Sequence, residues 1–528
     1  MSALQTAAIG PPSTLKTILY ATSTNYLKVF VRMAGGIVTF RLLFKSLDHQ
    51  DFGFYQLLWS TFGYLVLLDF GFGVSVQRAM AISAHATDET ARRERREAVS
   101  TVFFSYVAID LVVALALIVY GDKLLGTLSV TDPAALARYR LAAGIFSLGM
   151  LCGFPLGIYR EALKGLNRIH LINLIDTIFF ALTSGIISWG CLAHWSLPAL
   201  MTASVSTAIL PIVASVALAL RNPDLRPRLK DFRLAQLRRL SSFSLFAYVT
   251  TMTGIIMGQS DQLVIGSLVS VQAIALYVPG FKPTQFYGMM SSQMQDSLGP
   301  IAANFGGAGN REALKSLLLN SERWSVLVAT LVLIPLLFDI RTALSLLTGE
   351  HSPPVEMTQT ALLLIGSVYF SIVGSSCTKR ILLMTGNHRG VGGFSVLEAA
   401  INLGLSLYLT MRWKNVVGAA AGTFIASVCV PFLLVPFYAA RTFQFPMVLF
   451  LRIGARALLA NVGALIAGAL YWGYVPQFQP LLHFTLGALW CACAAIPGWW
   501  LVGMEEDERK RVTARLTRFS LSATLPTI

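Results

Sequence analysis

Residues 92–121 read RRERREAVSTVFFSYVAIDLVVALALIVYG, four arginines followed by a stretch in which Asp110 is the one charge between positions 99 and 121. A bilayer's hydrocarbon core is about 30 Å thick, and a helix needs about 20 mostly apolar residues to cross it. The stretch therefore reads as a membrane span with a basic anchor at one end. Outward from it the pattern recurs along the whole chain. It predicts spans at 17–44, 54–78, 99–121, 139–160, 168–193, 196–220, 241–267, 272–300, 322–346, 359–384, 392–411, 416–440, 450–473 and 481–503. The expected fold is an all-α polytopic membrane protein of about fourteen transmembrane helices.

Composition agrees. Hydrophobic residues make up 55% of the chain, charged residues 13%, and the mean hydropathy is +0.65, a balance no soluble core requires. The net charge of +15 would suggest nucleic acid for a soluble protein, but its distribution has a simpler origin. Of the 41 Lys and Arg, 30 sort to the N-terminal segment, the even-to-odd connections and the C-terminal tail. The opposite side receives seven: Lys45, Lys123, Arg138, Arg140, Arg341, Arg412 and Lys414. The remaining four, Lys28, Arg32, Arg41 and Lys282, lie inside the first and eighth spans, basic residues near the ends of the other spans being counted with the adjoining loop. Positively charged loops stay in the cytoplasm, so both termini are expected there, with no nucleic-acid partner. The basic loops at 92–96 and 221–239 read as topology determinants, with a dock for anionic lipid headgroups or an acidic partner as the alternative.

Cys152, Cys191, Cys377, Cys429, Cys491 and Cys493 all fall inside spans and show no metal-ligand spacing. They are expected to be buried thiols, neither disulfides nor metal ligands. The first span is too long for a signal peptide and is expected to persist as an anchor.

A repeat emerges when spans five and six are laid on eleven and twelve. Arg160, Gly165-Leu166-Asn167-Arg168, Asp176 and Pro211 match Arg380, Gly386-Asn387-His388-Arg389, Glu398 and Pro431. Ser46-Leu47 and Tyr55 match Ser267-Leu268 and Tyr277 more loosely. Six spans separate the copies, so the halves share one orientation, as in transporters with parallel repeats. The predicted organisation is two pseudo-symmetric six-helix lobes, 1–220 and 241–440, joined by a basic linker at 221–240. An appended pair at 441–503 and a tail at 504–528 follow. The tail reads as either a short surface helix at the inner leaflet or a disordered segment. Pro279 and Pro283 flank Lys282 and mark either a functional hinge or a static kink.

The segment Arg41-Leu42-Leu43, Asp51-Phe52-Gly53-Phe54-Tyr55, Leu68-Asp69-Phe70-Gly71 and Arg78 resembles the N-terminal signature of polysaccharide-transport flippases for O-antigen and exopolysaccharide. Asp261-Gln262-Leu263-Val264-Ile265-Gly266 with Tyr277 is similar to its second-lobe counterpart. These flippases belong to the multidrug/oligosaccharidyl-lipid/polysaccharide exporter superfamily. The resemblance covers essentially the whole chain. It implies movement of an undecaprenyl-diphosphate-linked oligosaccharide from the cytoplasmic to the outer leaflet of the bacterial inner membrane. It also implies a polar cavity between lobes, lined by the first, second, seventh and eighth helices, and no cofactor. Partners it implies are membrane lipids, a polysaccharide polymerase and glycosyltransferases.

The residues themselves point the same way. Charges in hydrocarbon cost several kcal/mol unless they face water or a partner. Asn25, Lys28, Arg32, Gly35/Gly36 and Thr39 recur at helical spacing and form one polar stripe. Two cations one turn apart call for an anion, and a diphosphate suits an Arg fork beside a Lys point charge. In the eighth span Lys282 with Gln285, and in the seventh Gln262, extend the candidate substrate-binding set, since amides suit sugar hydroxyls; interhelical hydrogen bonding is the alternative. Asp261 is the candidate for ion coupling, ahead of Asp69, Asp110, Asp176 and Glu398. Asp69 suits a turn or cap, and Asp176 and Glu398 a structural pairing with Arg. No metal or catalytic constellation stands out. Gly306-Gly307-Ala308-Gly309 lacks the lysine of a phosphate loop, which argues against an ATP-driven pump.

Two other functions compete: a cation-coupled multidrug exporter of the same superfamily and a membrane-embedded polyprenyl-phosphate transferase. The first calls for an acidic, aromatic cavity and the second for sizeable outer loops, neither of which matches the basic stripe and short loops. Reporter fusions at the C-terminus and after Arg138 are expected on opposite sides of the membrane; the same side for both would overturn the orientation.

Overall fold

Apolar residues without turn signals over 20 or more positions leave the backbone no hydrogen-bond partner but itself, and helix is the outcome. The computed structural model describes residues 12–82, 88–126, 132–166, 168–307 and 310–523. Among them there is no strand. Among the described residues nine helices are long and apolar enough to cross a membrane, or up to eleven if two bent pairs each count as one span. Three further helices, of 35, 35 and 34 residues, also exceed the length a span needs. The expected number of fourteen rests on counting these and both bent pairs.

The chain divides into two compact units, Met1–Ala275 and Leu276–Ile528. In the first, α1 (Pro12–Ser46) carries the polar stripe, and α2 (His49–Leu65) is followed by a 3-10 turn at Val66–Asp69 and α3 (Phe72–Ile82). The second predicted span is thus bent, by 56°. Phe70 and Gly71 take positive φ at the bend, a conformation that glycine tolerates freely. Next come α4 (Glu89–Gly126), α5 (Pro133–Gly153), α6 (Ile158–Gly165), α7 (Ile169–Leu192), α8 (Leu197–Ala219) and α9 (Leu234–Leu268). Helix α1 lies along α7, where Gly35 brings the backbone within reach of Ser184 and Phe180. Phe72, Val76, Met80, Val99, Val102, Ile158 and Leu163 fill a core where α3, α4 and α6 converge.

The basic linker is no loose tether. Asn222 caps a 3-10 turn at Pro223–Leu225, and Asp224 bonds Arg95 at 2.9 Å and Arg96 at 3.4 Å on α4. The backbone N–H groups of Arg228 and Arg233 donate to Ser100 and Thr101 on α4, at 3.0 and 3.1 Å.

The second unit contains nearly all of α10 (Ile274–Gly307), then α11 (Arg311–Phe338), α12 (Ile340–Thr348), α13 (Val355–Met384), α14 (His388–Trp413), α15 (Val417–Ser427) and α16 (Val435–Thr442). Helix α10 runs unbroken through Pro279 and Pro283. Pro431 instead sits in a π-helical stretch, Val428–Leu434, between α15 and α16, the local loosening that a proline in a span calls for. Gly374 of α13 lets that stretch come close, since a Cβ there would lie 2.2 Å from the Pro431 carbonyl oxygen. Gly418 and Gly422 do the same for α14 against α15, the small-residue packing of membrane helices.

The appended pair is α17 (Val448–Ala460) with α18 (Val462–Tyr474), bent by 42°, and α19 (Pro480–Gly498). Asn461 at the bend is fully buried; its amide donates to the Leu327 carbonyl, and its own carbonyl accepts from Trp499 at 3.0 Å. The tail forms a helix, α20 (Glu506–Ala523). Arg323 of α11, 3% exposed, holds Glu505 at 2.9 Å and Glu508 at 2.6 Å, and Trp324 donates to Glu508 at 3.1 Å. Burial pushes the Glu508 carboxyl up, but the Glu505 N–H, Trp324 and Arg323 outweigh it and leave it below the ordinary glutamate range.

The six cysteines are free thiols; Cys191, Cys377 and Cys491 are buried, whereas Cys429 is half-buried and Cys152 and Cys493 are exposed, on outward faces of α5 and α19.

Gly53, in the motif at the start of α2, tests the packing of the first unit. A Cβ there would sit 2.0 Å from the Val271 carbonyl oxygen, which no side-chain motion relieves. Gly53→Ala is expected to destabilise the unit by about 1–3 kcal/mol, read as a lower melting temperature of the purified protein.

Candidate functional site

The stripe on α1 meets an acid on α7. Lys28 Nζ donates to Asn173 Oδ1 at 2.8 Å and lies 3.8 Å from Asp176 Oδ2. Arg32 Nη2 is 3.9 Å from the same oxygen, and its guanidinium sits 5.8 Å above the Phe180 ring. Arg160, from the start of α6, donates to the other oxygen, Oδ1, at 2.5 Å. Asp176 is 8% exposed, while Arg32 is 48% exposed. Spacing explains the convergence. Asn173, Asp176 and Phe180 are three and four residues apart on α7 and so share a face, and Lys28 and Arg32 share the facing side of α1. Three cations and one carboxylate leave a net charge of +2 at this point.

A second polar group stands nearby on α6, where Lys164 and Glu161 pair at 2.6 Å and neutralise one another. The Glu161 chain lies 3.2 Å from the Cβ position of Gly73. Asp69 accepts from the Gly73 N–H at 2.8 Å and from the Tyr106 hydroxyl, so it caps α3.

The sequence-predicted residues are divided between the units. Lys28 and Arg32 come together in the first, and they are paired with Asp176 rather than standing alone. Asn25 lies on α1, with its side chain outside the described residues. Asp261 and Gln262 are buried on α9, at 3% and 7% exposure. Lys282 belongs to the second unit, where its Nζ donates to Gln285 Oε1 at 3.1 Å. Asp110 is half-buried on α4.

The paired repeat acids resolve differently. Asp176 takes Arg160, the expected kind of partner, whereas Glu398, 4% exposed, takes Lys379 at 2.8 Å. Sequence reasoning overlooked Asn173, whose amide orients Lys28, and Glu322. The latter is fully buried on α11 and accepts from the Thr378 N–H and hydroxyl at 2.8 and 2.6 Å. A carboxylate one residue before an arginine at a span's edge reads as an interfacial pair, but Arg323 turns to the tail and Glu322 to α13.

With this geometry in view, likeness to known proteins is informative. The fold is shared with a structure described as lipid II flippase MurJ in an inward closed conformation, at 12% identity and TM-score 0.67, covering 91% of this chain and 98% of that one. It is shared too with an inward-facing multidrug resistance MATE family transporter of the MOP superfamily, at 13% identity and TM-score 0.60, covering 79% and 98%. A Pyrococcus furiosus MOP superfamily transporter aligns at 13% identity and TM-score 0.56, covering 82% and 97%. No curated protein matches the chain significantly. The class is thus a multi-pass, all-helical membrane protein whose fold is like that of these structures. Within that class, the profile of the family described as polysaccharide biosynthesis protein matches residues 18–301, more than half of the 528 residues, and the chain belongs to that family.

The two repeat acids give a graded test. Lys379→Met removes the cation bonded to a buried Glu398, and breaking a buried pair from one side costs about 3–5 kcal/mol. Arg160→Met leaves Asp176 with Lys28 and Arg32 close by and should cost less. Denaturation of the two purified variants is expected to rank them in that order.

Proposed function

We propose that the protein is a flippase that carries a lipid-linked oligosaccharide, joined to its polyprenyl carrier through a diphosphate, from the cytoplasmic to the outer leaflet of the bacterial inner membrane. Family membership supports the pathway class. The observation that carries the substrate class is the cationic excess at Asp176, inside a bundle where uncompensated charge is costly. A diphosphate diester brings two negative charges, matching the +2 left by Lys28, Arg32, Arg160 and Asp176. Arg32, half exposed, can present its fork to phosphate oxygens, while Lys28 is aimed by Asn173.

In this reading Lys282 and Gln285 are further residues suited to headgroup oxygens, and Asn25 and Gln262 to sugar hydroxyls. Asp261, buried on α9, is assigned the ion-coupling role. Transport proceeds by alternating access of lobes at 1–220 and 241–440, with both termini cytoplasmic. The protein breaks no bond; it lowers the barrier to moving a charged headgroup through hydrocarbon by replacing water with fixed charges. A cationic drug finds the wrong sign at this cluster, which disfavours multidrug export.

Each charge-assisted contact is worth about 1.5–3 kcal/mol, so loss of one should weaken headgroup affinity by about ten-fold or more. Export of surface polysaccharide is expected to fail in cells carrying the Lys28→Ala/Arg32→Ala/Lys282→Ala variant at matched membrane abundance. Arg32→Lys should retain more export than Arg32→Ala, since charge survives without the fork. Normal export by the triple variant would overturn the assignment.

A further inference from the structure

We propose that Asp176 is a tethered competitor of the substrate's diphosphate: a resident counter-anion that holds Lys28 and Arg32 between transport events and yields them to the incoming headgroup. The inference rests on the lipid-diphosphate reading above and adds a positioning residue to it.

Three observations carry it. The first is that the carboxylate is used asymmetrically. Oδ1 is engaged by Arg160 at 2.5 Å, while Oδ2 faces Lys28 and Arg32 at 3.8 and 3.9 Å, attraction without a closed hydrogen bond. Lys28 places its hydrogen bond on Asn173 at 2.8 Å instead, and Arg32 rests over Phe180. Both cations are thus held near Asp176 yet remain available to another acceptor.

Charge supplies the second observation: one carboxylate cannot satisfy three cations, so an anion of higher charge outcompetes it for the two that are loosely held. Arg160 keeps Asp176 in place throughout.

The third comes from the internal repeat. Glu398 occupies the position of Asp176 in the second copy and is bonded by Lys379 at 2.8 Å, so a closed Lys–Glu pair is what the fold builds there. The register that lays Ser46-Leu47 on Ser267-Leu268 carries Lys28 and Arg32 onto Val249 and Thr253. The two extra cations are an addition of the first copy alone, placed where a structural pair already sufficed.

Two functional consequences follow. Asp176 offsets the two cations when no headgroup is held, and it competes for them when one is, which limits affinity and speeds release. Both effects have a sign that can be measured. Removing the charge should tighten binding and slow turnover. Lengthening the side chain by one methylene closes the gap to Lys28 and Arg32, strengthens the competitor, and should weaken binding.

The test uses the purified full-length protein with undecaprenyl diphosphate as the probe, alongside polysaccharide export in cells. Asp176→Asn is expected to bind the probe about ten-fold more tightly while export falls. Asp176→Glu is expected to bind it more weakly than the parent. A purely structural ion pair predicts loss of stability without opposite shifts in affinity. Unchanged or weaker binding by a folded Asp176→Asn variant overturns the proposal. If that variant does not fold, Asp176→Glu decides, and binding equal to or tighter than the parent's overturns it. Binding by the parent that is indifferent to Lys28→Ala/Arg32→Ala defeats the diphosphate reading itself. Binding that depends on those cations but not on the charge at 176 defeats only the competitor.

Discussion

The interaction on which the rest depends is the electrostatic attraction between Asp176 and three cations drawn from two other helices. A lone charge in hydrocarbon is costly, so Lys28 and Arg32 can sit on α1 only if α7 and α6 bring an acid to them. That requirement explains the close approach of α1 to α7, and Gly35 facing Ser184 is its steric counterpart. It also explains how α1 can carry two cations: Lys28 and Arg32 turn toward the Asp176 carboxylate. Packing and electrostatics here impose one condition, and the proposed chemistry draws on the part of the charge left over.

The second unit shows the contrasting solution. Three of its polar pairs are internal to the unit: Lys379 with Glu398, Glu322 with Thr378, and Trp472 with Asp339 at 3.0 Å. Its backbones approach through Gly374, Gly418 and Gly422, where small residues let helices touch. At Asp176 the first unit instead gathers more positive charge than the carboxylate neutralises.

Much of this architecture was legible in the sequence, because a bilayer imposes one length scale and one polarity rule. Helical class, the polar stripe of α1 and the capping role of Asp69 all follow from local composition and spacing. The bends at Phe70-Gly71 and at Asn461 did not, since a hydropathy window stays apolar through a change of direction. The stripe was recognisable at Lys28 and Arg32, but not its partner, which lies 145 residues away from Lys28 at Asn173 and a turn further on at Asp176. Periodicity reports which side of a helix is polar. It does not report which helix comes to face it, and that is why Asp176 read as a structural carboxylate and Glu322 was overlooked.

The clamp between Arg323 and the pair Glu505 and Glu508 has a consequence for biogenesis. Arg323 is almost fully buried, and its counter-charges follow up to 185 residues later in the chain. At ribosomal speeds of about 5–20 residues per second, roughly 10–40 s pass between synthesis of the cation and of the acids that neutralise it. During that interval α11 cannot settle into its final environment, however complete the helices around it. The burial of Arg323 against its counter-charges is therefore completed only once the tail has emerged, making this clamp one of the last contacts of the second unit to form.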